Sequence, residues 1–325
     1  MLHPCRWMSW CLRRRGAMPL RNRISAATVA VAALLLAGPA HAALSVFACE
    51  PEWAALATEL GGDKVAVFAA TTGRQDPHQI QARPSLIAKA RSADLAVCTG
   101  AELEIGWMPV VLRQAANGRI QPGTQGYFAA ADQVRLLEVP TRLDRAEGDI
   151  HAAGNPHIQT SPRNIRPVAE ALGARMAELD PREAALYRQR TADFLRRWDE
   201  AMRGWEARAA PLKGASFASY HRGWVYLAEW LGMKEVATIE PKPGVPPGAA
   251  YLAQLVDELP RRGVRMIVYA AYEDPRPAES VAQRIGVQPV MLPTTIGGTD
   301  AARTLFALYD DILARLLAAS GAKSG

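Results

Sequence analysis

The sequence predicts an α/β protein of two lobes, each with a mainly parallel sheet flanked by helices, joined by one long rigid helix. Three observations carry this reading. Short apolar runs alternate with amphipathic stretches in both halves of the chain, the pattern of parallel sheets covered by helices on both faces. Residues 43–325 exceed the size of one ordinary hydrophobic core, so two lobes are expected. Between the halves a helical pattern runs from Pro162 to about Ala209, with a break near Asp180-Pro181.

Taken in order, the N-terminal lobe (43–162) offers strands at 45–49, 65–69 and 94–98, with helices at 52–60, 84–92 and 101–116. Residues 118–150 are less regular and richer in Gly, Pro and charge. Pro162 suits a helix start, and Asp180 before Pro181 reads as a stop and a new start. Residues 163–180 therefore form the linking helix. A second helix, 182–206, carries Leu186, Phe194, Trp198, Met202 and Trp205 at helical spacing and is expected to pack on a lobe. The C-terminal lobe (181–325) continues with strands 215–220, 234–239, 265–269 and 288–292. Helices are expected at 223–232, 248–262, 277–285 and 300–318.

Residues 1–42 read as a secretory signal peptide. They hold six Arg, no Asp or Glu, an apolar run of 14 residues from Ile24 to Ala37, and Ala40-His41-Ala42 as a cleavage pattern. That run is shorter than the roughly 20 residues a membrane-spanning helix needs. Cleavage after Ala42 would leave Ala43, not Cys, at the new N-terminus, so no lipoprotein anchor is expected and the periplasm is the predicted location. The full chain has formal charge +6, all of it from the leader. A neutral remainder gives no basis for a nucleic-acid surface. Cys5 and Cys11 leave with the leader. Cys49 and Cys98 remain, each ending an apolar run, and first and third strands are neighbours in a doubly wound sheet. One disulfide is the expectation for an exported chain, with two buried free thiols as the alternative.

The chain has six His in 325 residues, and three of them close short separated segments: Asp76-Pro77-His78, Gly154-Asn155-Pro156-His157 and Ser219-Tyr220-His221. Imidazole is the commonest side-chain ligand for borderline transition metals. Separations of 79 and 64 residues exclude a local, finger-like metal site. His78 and His221 lie just beyond strands and His157 just before the linking helix, so one cleft at the carboxyl ends of both sheets is the natural meeting place. His151 lies six residues before His157. It is read as a solvated loop residue, with a role as the first ligand an incoming ion meets as the alternative.

These segments resemble the periplasmic zinc- or manganese-binding proteins that serve ABC importers, the ZnuA-type cluster. The resemblance rests on Asp76-Pro77-His78 with Arg83-Pro84-Ser85, and on Gly148-Asp149-Ile150-His151 with Gly154-Asn155-Pro156-His157 and Ser161-Pro162-Arg163-Asn164. Leu179-Asp180-Pro181, Tyr220-His221 and Pro243-Gly244-Val245-Pro246-Pro247 extend it over nearly all of residues 43–318. It implies two α/β lobes, a linking helix, a metal ion as transported ligand between the lobes, and His78, His157 and His221 as its ligands. It implies an ABC importer permease as partner, with the binding protein acting as a monomer. Two departures stand out. Where the family often carries Leu-Asp-Pro-Leu-Gly after the last strand, this chain reads Leu292-Pro293-Thr294-Thr295-Ile296-Gly297-Gly298-Thr299-Asp300, and a histidine-rich loop is missing. Asp300 is the nearest carboxylate and is taken as fourth ligand, with an N-cap of the last helix as its competing role. Glu273 and water are the other candidates, and Asp76 is expected to orient His78.

Three neutral nitrogens plus one carboxylate or water suit tetrahedral Zn²⁺, whereas Mn²⁺ asks for more oxygen. The rival class is a three-histidine zinc hydrolase. It needs a general base beside the bound water, and no His-Glu-x-x-His or Gly-x-Ser-x-Gly pattern supplies one. The chain is therefore expected not to be an enzyme.

Overall fold

Eight strands in the computed structural model form two four-stranded sheets, and residues 43–142, 148 and 151–321 are described. The leader with Cys5 and Cys11 lies outside the described residues, as do Asp149 and Ile150. The first sheet contains β1 (Leu44–Ala48), β2 (Val65–Ala69), β3 (Leu95–Cys98) and β4 (Tyr127–Ala129) in the order β2-β1-β3-β4. The second contains β5 (Ser216–Ser219), β6 (Lys234–Thr238), β7 (Val264–Ala270) and β8 (Gln288–Leu292) in the order β6-β5-β7-β8. Every pairing is parallel. Each sheet thus reverses its strand order beside its first strand, and the crevice beyond those carboxyl ends is where such folds bind ligands.

The helices are α1 (Pro51–Gly61), α2 (Pro84–Ser92), α3 (Met108–Ala115), α4 (Pro162–Leu179), α5 (Ala184–Ala209), α6 (Val225–Leu231), α7 (Ala249–Glu258), α8 (Pro275–Ile285) and α9 (Leu305–Ser320). Pro stands in the first turn of α1, α2, α3, α4 and α8, where its missing N–H costs no intrahelical bond. The helix expected at 101–116 begins only at Met108. Ala101 and Glu102 hold positive φ values of 47° and 67°, which an α-helix cannot continue. The last helix begins at Leu305 rather than 300, because Thr304 caps it by accepting the Ala307 N–H. β4 lies in the region read as irregular.

One hydrophobic core runs through both lobes. It joins Trp53, Leu56 and Leu95 of the first lobe, Ile165 and Leu172 of α4, and Met266 and Tyr309 of the second, with α5 aromatics between them. Trp198 of α5 sits 5.2 Å from Phe194, 5.1 Å from Trp205 and 4.9 Å from Phe306, ring to ring, and its indole N–H donates to the Pro162 carbonyl. The helix 182–206 thus packs on both lobes, against α1 and α9, not on one. A shared core of this kind resists wide hinge opening, since separating the lobes would expose it.

Cys49 and Cys98 form a disulfide with Cα atoms 4.8 Å apart, joining the carboxyl ends of the neighbouring strands β1 and β3. Beside it lie three buried carboxylates that the sequence reading passed over. Glu104 accepts the Thr99 N–H at 2.7 Å, Glu50 accepts the Thr99 hydroxyl at 3.1 Å, and the Thr295 hydroxyl donates to Glu52. Burial, strongest of all its causes, pushes Glu52 and Glu104 up to about 7, and burial plus the charge of Glu104 holds Glu50 well above its usual range. The folded chain therefore holds protons here that the unfolded chain releases near pH 4.5. This contribution to stability is full at and below about pH 4.5 and fades as pH rises through about 7. Urea denaturation of the metal-free protein at pH 5 and pH 8, beside a Glu52→Gln variant, checks the sign. The wild type should lose of the order of 1–3 kcal/mol relative to the variant between these values.

Candidate metal centre

The three histidines meet. One ring nitrogen from each of His78, His157 and His221 lies within 4.8 Å of the other two. Ring centroids are 5.2 Å apart for His78–His157, 5.5 Å for His78–His221 and 5.2 Å for His157–His221. His157 Nε2 and His221 Nε2 are 3.2 Å apart. That equals, within about 0.2 Å, the edge of a tetrahedron built on zinc–nitrogen bonds of about 2.0–2.1 Å.

Local sequence explains how each ring is aimed. Asp76-Pro77-His78 and Asn155-Pro156-His157 use one device: the residue before proline is kept out of the helical region and its side chain accepts the histidine N–H, at 3.0 Å in both. Asp76 Oδ1 also lies 2.8 Å from His78 Nδ1. That bond fixes the proton on Nδ1 and leaves Nε2 to face the cluster, buried and without a partner. Burial would raise Asp76, but the hydrogen bond and charge of His78 outweigh it and hold it below its usual range. Asn155 also spans the lobes, donating to the Arg222 carbonyl at 2.8 Å, while its own carbonyl accepts the Tyr226 hydroxyl. His157 is wholly buried. Burial first, then the charges of His78, His221 and His151, keep it well below the ordinary histidine value, hence neutral.

His221 is oriented by Glu240, a residue the sequence did not single out. Glu240 Oε2 lies 2.9 Å from His221 Nδ1 and also accepts the Gly244 N–H at 3.3 Å. Burial alone would lower His221, yet the bond to Glu240 and its charge raise it. The signal was available: a carboxylate just beyond β6, the strand paired with β5, stands where it can reach the residue beyond β5. Glu240→Gln should weaken metal binding about 10- to 100-fold, the range for an orienting partner of a ligating histidine. Chelator-competition titration reads this, and urea denaturation of the metal-free variant should show little loss.

Asp300 is not brought to the cluster. Its side chain is 96% exposed and lies 3.7 Å from the Arg74 guanidinium. It does not cap α9 either, since Thr304 does. The physical reason lies in the preceding loop. Thr295 is tied to Glu52, and Gly73 packs so closely on residues 296–298 that a Cβ there would sit 2.3 Å from Gly298 N. This turn anchors the lobes to each other and carries Asp300 outward. Glu273 lines a cavity with His78, His221 and Glu240, but its Oε2 accepts the Ala270 N–H; burial pushes it up to about 7. His151 is not a solvated loop residue. Its ring lies 5.4 Å from that of His78, its Nε2 is buried and unpartnered, and burial leads the causes that lower it to about 4.

The zinc-uptake complex component A (periplasmic) family model, ZnuA, matches residues 46–319. The chain belongs to this family. Members of the ZnuA family are metal-binding transport proteins, not enzymes, and the hydrolase reading falls with that membership. The high-affinity zinc uptake system protein ZnuA of Bacillus subtilis is 23% identical over 226 residues, covering 68% of this chain and 69% of that protein. The zinc-binding lipoprotein AdcA of Streptococcus pneumoniae is 21% identical over 238 residues, and the match spans only 46% of its length. Among solved structures, a crystal structure of ZnuA superposes with TM-score 0.69 at 24% identity, covering 84% of this chain and 99% of that one. A cadmium-bound periplasmic metal binding protein of Candidatus Liberibacter asiaticus gives 0.68 at 18%, covering 84% and 98%. At these identities the structural likeness bears on the fold, two parallel-sheet lobes with a joining helix.

Proposed function

We propose that this protein captures Zn²⁺ in the periplasm through His78, His157 and His221 and hands it, as a monomer without a lipid anchor, to an ABC importer permease. The observation that carries the reading is the convergence of three ring nitrogens in one buried cluster, two of them held in the Nε2-free tautomer by Asp76 and Glu240. Neutral imidazoles favour zinc over Mn²⁺, and Asp76 and Glu240 are engaged with Nδ1 atoms rather than free to supply oxygen. The relatives from Bacillus subtilis and Streptococcus pneumoniae bear names that refer to zinc. In the metal-free cluster a proton must lie between His157 Nε2 and His221 Nε2, where zinc would replace it.

Protons and zinc therefore compete, and His221, raised by Glu240, holds its proton more readily than an ordinary histidine as pH falls. Stripped protein titrated with zinc against a chelator should bind one ion per chain at pH 7.5, with affinity falling at least about tenfold by pH 5.5. Absence of stoichiometric binding, or equal affinity at both pH values, would contradict this function.

A further inference from the structure

We propose that His151 supplies the fourth nitrogen of the site, so that the metal is held by four imidazoles from both lobes. The inference rests on the zinc-capture reading above and adds a residue to it. Three observations converge on His151. Its ring lies 5.4 Å from His78, within the 5.2–5.5 Å range separating the other three rings from each other. It lines one cavity together with His157 and His221, whereas Asp76 and Glu240 line a different one. Its Nε2 is buried and has no hydrogen-bond partner, the same condition as His78 Nε2. A buried polar atom left unpaired costs about 1–3 kcal/mol, and two such nitrogens on adjacent rings are both relieved by one cation between them. Its ring also hydrogen-bonds to the Glu102 backbone, which leaves only Nε2 to face the cluster.

The competing carboxylates are engaged elsewhere. Asp300 is on the surface beside Arg74, and Glu273 holds the Ala270 N–H. His151 is outside the group whose ligand atoms all lie within 4.8 Å of one another, so four-nitrogen ligation requires its ring to shift inward on the ion. A fourth imidazole from the connection before α4 supplies the donor that the loop after β8, whose Asp300 is exposed beside Arg74, does not bring to the cluster. It also sharpens selectivity, because an all-nitrogen tetrahedral site suits Zn²⁺ and offers Mn²⁺ no oxygen.

Zinc-edge X-ray absorption on the loaded full chain counts the imidazoles directly, and Co²⁺ absorption reports coordination number. Wild type should show four imidazole nitrogens and intense tetrahedral Co²⁺ bands. His151→Ala should show three plus one oxygen and lose at least about 100-fold in zinc affinity, above the range for orienting partners. Its Mn²⁺ affinity should change little. The metal-free variant should unfold at the same urea concentration as wild type, which separates ligation from a structural role. Unchanged zinc affinity in His151→Ala, or three imidazoles in wild type, overturns the inference while leaving three-histidine capture standing. A loss confined to Glu273→Gln likewise overturns it in favour of a carboxylate ligand. Failure of the wild type to bind zinc at all overturns both.

Discussion

His157→Ala is expected to lower zinc affinity by roughly two to three powers of ten. Structural zinc sites release about 10–16 kcal/mol over four ligands, or roughly 3–4 kcal/mol for each. His157 is the fitting choice because it is wholly buried and held neutral, so it presents no positive charge to the incoming ion. Its backbone N–H stays bonded to Asn155 whatever side chain follows, so the local turn survives the change. Competition against a chelator of known affinity measures the loss, and the far-ultraviolet circular dichroism of the stripped variant should match wild type. A loss below about tenfold would mean that His157 is not a ligand.

Replacing both Cys49 and Cys98 by alanine is expected to cost about 4 kcal/mol of stability, read by urea denaturation of the metal-free protein. The bond spans a sequence separation of 49 residues, and closing a loop of that length removes roughly this much chain entropy from the unfolded state. Both sulfurs are fully buried, so alanine also leaves small voids, which add to the loss. The disulfide joins strand ends β1 and β3 and shares no residue with the three-histidine group, so the stoichiometry of zinc binding should survive. Loss of stoichiometric binding in a folded double variant would mean that the site depends on the first sheet's carboxyl edge more than its geometry indicates.

Much of this molecule was legible in its sequence, for reasons that differ by element. β2 and α2 occupy the residues the alternating pattern assigned, because a short apolar run, even in a half-exposed edge strand, and an amphipathic helix each leave a readable signal. The disulfide followed from two cysteines at the ends of strands that a doubly wound sheet makes neighbours. The three histidines converged because each lies in a short signature tied to the end of an element. What the sequence could not fix is what depends on side chains meeting across the chain. Glu240 orients His221 only because β5 and β6 pair in the observed register. Asp300 follows a loop whose path is decided by Glu52 and Gly73, more than 200 residues earlier. His151 looked like an ordinary loop histidine until burial and the neighbouring rings were known. α5 showed an apolar stripe, and nothing in a stripe tells that two lobes will share it.

The claim at the centre of this account is that one zinc ion lies where the side chains of His78, His157 and His221 converge. A crystal structure of the zinc-loaded protein, with anomalous scattering recorded at the zinc edge, tests it most directly. One strong anomalous peak is expected within about 2.0–2.1 Å of the Nε2 atoms of all three histidines, with Asp76 and Glu240 still on the Nδ1 atoms of His78 and His221. A peak bound elsewhere on the chain, or one that leaves any of the three Nε2 atoms unligated, would contradict it.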